Sequence, residues 1–565
     1  MYKYLFILYK KFRYNNKFLG GVFLSTYEYQ LTLTKILERA VDVFPDVEIV
    51  YRNISRYTYT DLYERVQKLA NALEKLGVKE GVKVATLDWN THRHLELYFA
   101  VPCMGAVLHM ANPRLSLEEI AYILNHAGDE VLFVNETFLP IVEAISNKLK
   151  TVKHYVVITD KEKMPETKLK PVYEYEELID SAPSKYEFPE LNEDQMATMG
   201  YTTGTTGLPK GVYFTHRQNV LHAMGVAITA GCYLKITHYD TILHIVPMYH
   251  VHSWGMPYMA TMLGMKQVFP GIFDPKIFFE LVKNEKVTYT CMVPTVLDMI
   301  LKHPEIDKYK SYLEGLTVII GGAALPRALC EHARKLGMNV LSGYGLSETC
   351  PVLTIAYLKR TMLEWSEEEK IEKWVKTGLP LPLVNLRVVD SQGNDVRRDE
   401  KQMGEIVVRA PWLTKEYYKD PEKTKALWAG GWMHTGDIAV VDEDGYIKIV
   451  DREKDVVKSG GEWISTLTLE DVILRHPAVS EVAVVGAEHE KWGERPIALI
   501  VLKPDYKGKV SEDDFREHLK KFPEKIPKWW IPDKFIFVES IPKTSVGKID
   551  KKVLKPKYKD ILKQT

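Results

Sequence analysis

Beyond position 60 the apolar residues Leu62, Val66, Leu69, Leu73 and Leu76 recur every three or four places, the spacing of one buried helical face. Thr60 reads as the N-cap of that helix and Gly77 as its stop. A short strand-like run follows at 82–87 (VKVATL), then a helical stretch around 95–104, and further strand-like runs at 130–134, 196–200 and 317–321. This alternation predicts an α/β protein whose layers are built on largely parallel sheets. The segment 442–450 (DEDGYIKIV) reads instead as a turn entering an alternating strand, and a separate block of about a hundred residues follows it. The expected organisation is a large N-terminal domain of α/β sub-lobes over 26–451 and a small, mobile α+β domain over 452–565. Residues 1–25 are read as a disordered extension. Lys3, Lys10, Lys11, Arg13 and Lys17 crowd the first part of it without an acid, and globular patterning begins only near 31–44.

A chain of 565 residues is too long for one core, which agrees with that division. Lys plus Arg and Asp plus Glu number 75 each, so no global field recruits nucleic acid or an anionic membrane, and any anionic ligand must be held locally. No apolar run reaches the roughly 20 residues that span a bilayer. Cys103, Cys232, Cys291, Cys330 and Cys350 are scattered without a CxxC pair, and read as reduced thiols of a cytoplasmic protein.

The sharpest chemical feature is 201–212, YTTGTTGLPKGV, placed directly after a strand-like run. Gly204 and Gly207 let backbone N–H groups turn toward an anion, the hydroxyls of Thr202, Thr203, Thr205 and Thr206 can donate to phosphate oxygens, and Lys210 adds charge. A Walker A loop needs Lys directly after its second glycine and Ser or Thr after the Lys; here Leu208 and Pro209 intervene and Gly211 follows. A P-loop kinase or ATPase is therefore disfavoured.

With six further segments in order along the chain, this loop resembles the AMP-binding signature of the adenylate-forming superfamily, which includes acyl-CoA synthetases, adenylation domains of peptide synthetases and luciferases. The segments are PMYHVHSWGMPY (247–258), GGAAL (321–325), GYGLSET (343–349), HTGD (434–437), DREKDVVKSGGEWIS (451–465) and PKTSVGK (542–548). The resemblance implies an AMP-forming acid:CoA ligase using ATP, Mg²⁺ and CoA. It assigns Lys548 as the catalytic lysine, with Lys210 and Glu348 beside it, and Thr202 and Glu348 as the metal site. Gly322, Ala323, Ala324, Gly343, Tyr344, Gly345 and Thr349 would line the nucleotide, and Asp437 and Arg452 would hold its ribose. Lys454 would be the hinge on which the C-terminal domain rotates between half-reactions. Lys458, Gly460, Gly461 and Trp463 would face CoA.

For the acid, 88–115 (DWNTHRHLELYFAVPCMGAVLHMANPRL) resembles the branch of medium-chain fatty acid and 3-methylthiopropionate CoA ligases. His250 and Trp254 match positions that line or gate the acyl channel. Gly345 stands where acetyl-CoA synthetases carry a tryptophan, and losing that ring opens room for methylenes worth about 0.8 kcal/mol each when buried. A short- or medium-chain acid is expected over acetate, and Gly345→Trp should return preference to acetate or propionate. His252 offers a polar ring near the channel, which keeps a hydroxyacid open beside methylthiopropionate. A catalytically inactive nucleotide-binding homologue is disfavoured by intact Lys210, Glu348, Asp437, Arg452 and Lys548. Partners are small molecules only, without nucleic acid or stable membrane insertion, and a homodimer is left open.

Overall fold

The computed structural model describes residues 28–202, 208–460, 462–543 and 549–563. The first periodic run is the helix Tyr59–Lys75, with Leu62, Val66, Leu69 and Leu73 fully buried. Its cap is Thr58 and not Thr60: the Thr58 side chain accepts from the Asp61 N–H while the Asp61 carboxylate accepts from Thr58, a reciprocal box that Thr60 has no third-position acid to build. Gly77 ends the turn at φ +85°, a left-handed conformation that costs glycine nothing.

Two mainly parallel sheets form the bulk of the chain. One has seven strands, in the order Val172–Glu174, His154–Ile158, Asp129–Asn135, Lys83–Leu87, Val107–Met110, Met196–Tyr201 and Gly211–Thr215, the last pair antiparallel. The other has nine, and its centre runs in parallel through Thr241–Leu243, Tyr289–Met292, Thr317–Ile320 and Asn339–Gly345. Three of the segments singled out in the sequence leave these sheets at the carboxyl ends of their strands: 202–210 after Met196–Tyr201, 321–325 after Thr317–Ile320, and 346–349 after Asn339–Gly345. Open α/β sheets bind ligands at that edge.

The expectation of parallel sheets does not extend to the rest of the chain. Asn385–Val389, Gly404–Arg409, Met433–Val441 and Ile447–Arg452 form a four-stranded antiparallel sheet. In the C-terminal part, Val457–Ser459, Glu462–Ile464, Val479–His489 and Gly493–Leu502 are also antiparallel, and only Lys534–Phe537 joins in parallel. The short hairpin connections, between Met433–Val441 and Ile447–Arg452 and between Val479–His489 and Gly493–Leu502, permit nothing else, since a parallel pair needs a crossover of a dozen residues or more. The overall class is nonetheless mixed α/β, a large N-terminal domain followed by a smaller C-terminal one.

A buried polar network ties two C-terminal helices, Thr466–Leu474 and Lys551–Tyr558, to the strand Ile447–Arg452. Asp451, 1% exposed, accepts from both the N–H and the hydroxyl of Thr466, at 2.6 and 2.7 Å. Lys551 donates to the same hydroxyl at 2.6 Å and pairs with Glu470 at 2.8 Å. Burial raises the pKa of both carboxyls, and Lys551 opposes that rise in each. Lys551→Met should therefore leave two carboxyls buried without their cation and destabilise the protein by about 3 kcal/mol. Urea unfolding followed by tryptophan fluorescence measures this; a loss under about 0.5 kcal/mol, typical of an indifferent surface site, would make the network dispensable.

Candidate active site

The residues expected to hold the nucleoside are brought together by strand register. Asp437 and Arg452 are directly opposed across Met433–Val441 and Ile447–Arg452, and the Arg452 guanidinium pairs with the Asp437 carboxylate at 2.7 Å. The Tyr344 hydroxyl donates to the other oxygen of Asp437 at 2.7 Å. Burial pushes the Asp437 pKa up, and Arg452 and the tyrosine hydroxyl pull against it. Burial, then the neighbouring Asp437, raises the Tyr344 phenol, so it stays a donor. Each carboxylate oxygen retains a second lone pair, enough to accept a vicinal pair of hydroxyls. Glu405 was not foreseen from the sequence: it accepts from His434 Nδ1 at 2.8 Å and from the Gly436 N–H at 3.0 Å, holding the HTGD turn in shape. Gly322, Ala323 and Ala324 are exposed, with Gly322 at φ +76°.

Thr202, Lys210 and Glu348, expected at the phosphates and the metal, are linked to one another. Lys210 is bound to Thr202 through the backbone, its carbonyl accepting the Thr202 N–H at 2.9 Å. Its ammonium lies 4.0 Å from the centre of the Tyr417 ring and donates to the Tyr417 hydroxyl at 2.9 Å; that hydroxyl donates on to Glu348 at 2.7 Å. Burial lowers the Lys210 pKa while Glu348 raises it. Tyr417 is the second residue that sequence reading missed, and no local spacing could have revealed a partner 207 positions from Lys210. The donor set fits a hard cation: a carboxylate and a hydroxyl flank Lys210, and one or two protein oxygens suffice when phosphates supply the remainder. Thr203, Gly204, Thr205, Thr206 and Gly207 lie outside the described residues, as do Gly461 and Lys548.

The segment expected to line the acyl channel enters an unusual conformation. Val251, His252, Ser253 and Trp254 have φ of +43°, +58°, +48° and +58°, and Gly255 follows at +76°. Four non-glycine residues in the left-handed region hold real strain, which persists only under dense packing. Trp254, 8% exposed, supplies that packing: a Cβ built on Gly321 would meet its ring at 2.8 Å, so the tryptophan is pressed against the start of the 321–325 segment. His250 is exposed at the entry to the run.

Two expectations are corrected here. His252 does not offer a free ring to the acid: it is 1% exposed, its Nε2 is engaged with the Thr198 hydroxyl at 2.6 Å, and burial drives its pKa down to about 3. Phe214 and Tyr258 face it at 5.3 and 6.2 Å between ring centres, so the polar residue is consumed by the core. Gly345 does not open a methylene-sized space along its own Cβ direction. That direction runs into the Pro351 carbonyl, with the Pro351 carbonyl carbon at 2.6 Å and Val352 Cα at 3.1 Å. Glycine is required there because Asn339–Gly345 and Val352–Ile355 approach closely where their register slips, between Tyr344 and Gly345. Gly343 sits in the same strand, and Thr349 is buried in the short turn Ser347–Thr349, accepting from the Leu346 N–H at 2.9 Å.

Around the predicted hinge, the Glu453 N–H donates to the Gly436 carbonyl at 2.9 Å, while the Lys454 carbonyl accepts from Lys555. Lys458 is exposed on the rim of a cavity of about 510 Å³ lined also by Glu488, His489 and Glu494. Gly460, at φ +60°, lies against Trp492, whose ring would be 2.9 Å from a Cβ. Trp463 packs on Ile438, Val440 and Val450 and not into that cavity.

Comparison with known proteins matches the AMP-binding enzyme model over residues 37–418 and the AMP-binding enzyme C-terminal domain over 468–548. A long-chain-fatty-acid–CoA ligase of Thermus thermophilus is 46% identical over 94% of this chain and 96% of its own. A medium-chain-fatty-acid–CoA ligase of Ectopseudomonas oleovorans is 37% identical, over 94% and 97%. A 3-methylmercaptopropionyl-CoA ligase of Ruegeria lacuscaerulensis is 36% identical, over 94% and 98%. Among solved structures, a fatty acyl CoA synthetase of Mycobacterium tuberculosis superposes with a TM-score of 0.72 at 28% identity, covering 94% of this chain and 99% of that one.

The Gly345 geometry makes a specific claim. Gly345→Ala should destabilise by about 2 kcal/mol through overpacking against backbone that cannot yield, measured by thermal unfolding, with little change in which acid is preferred. A variant of unchanged stability that shifts to shorter acids would reinstate the open-pocket reading.

Proposed function

This chain belongs to the AMP-binding enzyme family and is an AMP-forming acyl-CoA synthetase, and we propose that its substrate is a fatty acid of medium or longer chain. The fatty acid ligases among its relatives support that substrate class, and the Gly345 position no longer bears on it. In the first half-reaction the carboxylate attacks the α-phosphorus of ATP, forming the acyl-phosphate bond as pyrophosphate leaves. In the second the CoA thiolate attacks the acyl carbonyl and AMP leaves.

The observation that carries the assignment of roles is the pair of tethered clusters, Tyr344–Asp437–Arg452 and Lys210–Tyr417–Glu348. Asp437 accepts the ribose hydroxyls, Tyr344 stacks on the base, and the exposed Gly322, Ala323 and Ala324 line it. Lys210 faces the phosphates. Glu348 and Thr202 would hold Mg²⁺, which when bound neutralises charge on the departing pyrophosphate. Lys548 brings a point charge to the α-phosphate and the carboxylate together. His250 and Trp254 flank the acyl chain.

The hinge is proposed at Lys454 because the two adjoining residues are held by different partners: Glu453 by Gly436 of the large domain, Lys454 by Lys555 of the C-terminal helix. Rotation there would withdraw Lys548 and bring Lys458, Gly460 and Gly461 toward the thioester-forming site. Trp463, now packed against the large domain, would have to leave Ile438 and Val450. The five unpaired cysteines suit a reducing compartment, and the cytoplasm is proposed on that ground. A second reading, a 3-methylthiopropionate ligase, rests on the Ruegeria relative.

A panel of acids from acetate to palmitate, with 3-methylthiopropionate and hydroxyacids included, separates these readings by kcat/KM. Acid-dependent release of pyrophosphate is expected, with thioester formed only when CoA is present. Lys548→Ala should lower adenylate formation by at least about 100-fold, the scale of a lost transition-state donor, while thioester formation from supplied acyl-AMP is kept. Equal loss of both steps removes the role given to Lys548, and production of ADP and orthophosphate would end the scheme itself.

A further inference from the structure

Tyr417 stands between a cation and a carboxylate that would otherwise neutralise each other. Its ring is 5% exposed, and its backbone is fixed on several sides: the Tyr417 N–H donates to the Thr424 hydroxyl at 2.9 Å, Tyr417 bridges Val212, and the Tyr418 N–H donates to the Gly211 carbonyl at 2.8 Å. The same strap reaches Glu348 by a second route, since the Thr414 N–H donates to the Glu348 carbonyl at 2.8 Å. Segment 414–418 thus grips the backbone on both sides of the phosphate end and places one hydroxyl between their side chains.

We infer that Tyr417 is a positioning residue for nucleotide binding, its hydroxyl holding Lys210 and Glu348 apart and aimed at the triphosphate and its cation. This rests on the roles proposed for Lys210 and Glu348. The direction of the two hydrogen bonds follows from chemistry: an ammonium can only donate and a carboxylate only accept, so the phenol accepts at 2.9 Å and donates at 2.7 Å. Burial and Glu348 raise the phenol pKa, which keeps the proton in place. Were the hydroxyl absent, ammonium and carboxylate could close into a direct pair. An incoming phosphate would then have to break that pair to reach Lys210, and a cation would have to break it to reach Glu348. With the hydroxyl present each charge keeps a neutral partner that is readily exchanged. The ring beneath Lys210 adds a weaker cation–π restraint on its height.

Tyr417→Phe removes the hydroxyl and leaves the ring. Calorimetric titration of the acid-free, full-length variant with MgATP should show a Kd about tenfold weaker than wild type, the scale of one hydrogen bond to a charged group. The Mg²⁺ concentration for half-maximal adenylation should rise with it, while KM for the acid and for CoA stays where it was. An unchanged Kd for MgATP overturns the inference. So does a variant whose thermal midpoint falls and whose KM values for all three substrates rise together, because that is a scaffold defect. Lys210→Met and Glu348→Gln are titrated alongside. If these two weaken MgATP and Tyr417→Phe does not, the inference falls alone; if none of the three does, the reading of the phosphate end falls with it.

Discussion

The opposition of Asp437 and Arg452 across two antiparallel strands is the constraint from which most of the site follows. Antiparallel register is set residue by residue, and a slip of one place would turn both side chains to the other face of the sheet. In register, the strand that carries Asp437, the acid proposed for the ribose, is paired with the strand that ends at the C-terminal domain. The proposed nucleotide anchor and the exit to the second domain are consequently one structural unit. Glu453 extends this by one residue, its N–H bound to Gly436 within the HTGD turn. The next residue, Lys454, answers to the C-terminal helix. A nucleotide that orders the turn thereby bears on the segment about which the second domain would move.

The polar groups of the site are held by protein partners placed before any ligand arrives. Asp437 has Tyr344 and Arg452, Lys210 and Glu348 share Tyr417, and the HTGD turn has Glu405. Burying such groups singly would cost several kcal/mol each, whereas in these arrangements each donor meets an acceptor and each charge a counter-charge or a hydroxyl. Preorganised dipoles of this kind need little rearrangement when charge develops on a phosphate. The strained run at 251–255 belongs to the same economy of rigid parts. Trp254 is wedged against Gly321, so the wall proposed for the acyl chain and the wall proposed for the base are in contact and cannot shift independently.

The helices were legible because their signal is local. Five apolar positions at three- and four-residue spacing predicted the helix that became Tyr59–Lys75, although the cap lay two residues upstream of the one expected. The strand runs were legible for the same reason, and their parallel pairing followed from the helices between them. The antiparallel sheet around 385–452 was not, since its first three strands are joined by long connections, one carrying the helix Pro421–Leu427, and that order looks, in a hydropathy pattern, like the strand–helix alternation of a parallel sheet. Among site residues, Thr202, Lys210, Glu348, Tyr344, Asp437 and Arg452 sit in motifs short enough to be recognised one at a time. Tyr417 and Glu405 carry no such motif, and their partners are distant in the chain.

The sequence alone determined, through the resemblance of its ordered motifs to a known family, that this is an α/β ligase of the AMP-forming kind, because the order of short motifs is a one-dimensional property. Tertiary structure decided which polar residue faces the site and which is spent in the core. His252 and Tyr417 are both polar residues near predicted segments. One was turned inward against Thr198, Phe214 and Tyr258, and the other was set, by the strap that carries it, between a glutamate and a lysine 207 residues before it. It also decided that Gly345 is small because a neighbouring carbonyl occupies its Cβ position and not to admit a longer acid. Side-chain direction and backbone proximity arise only when distant segments pack, which is why no pattern along the chain could have supplied them.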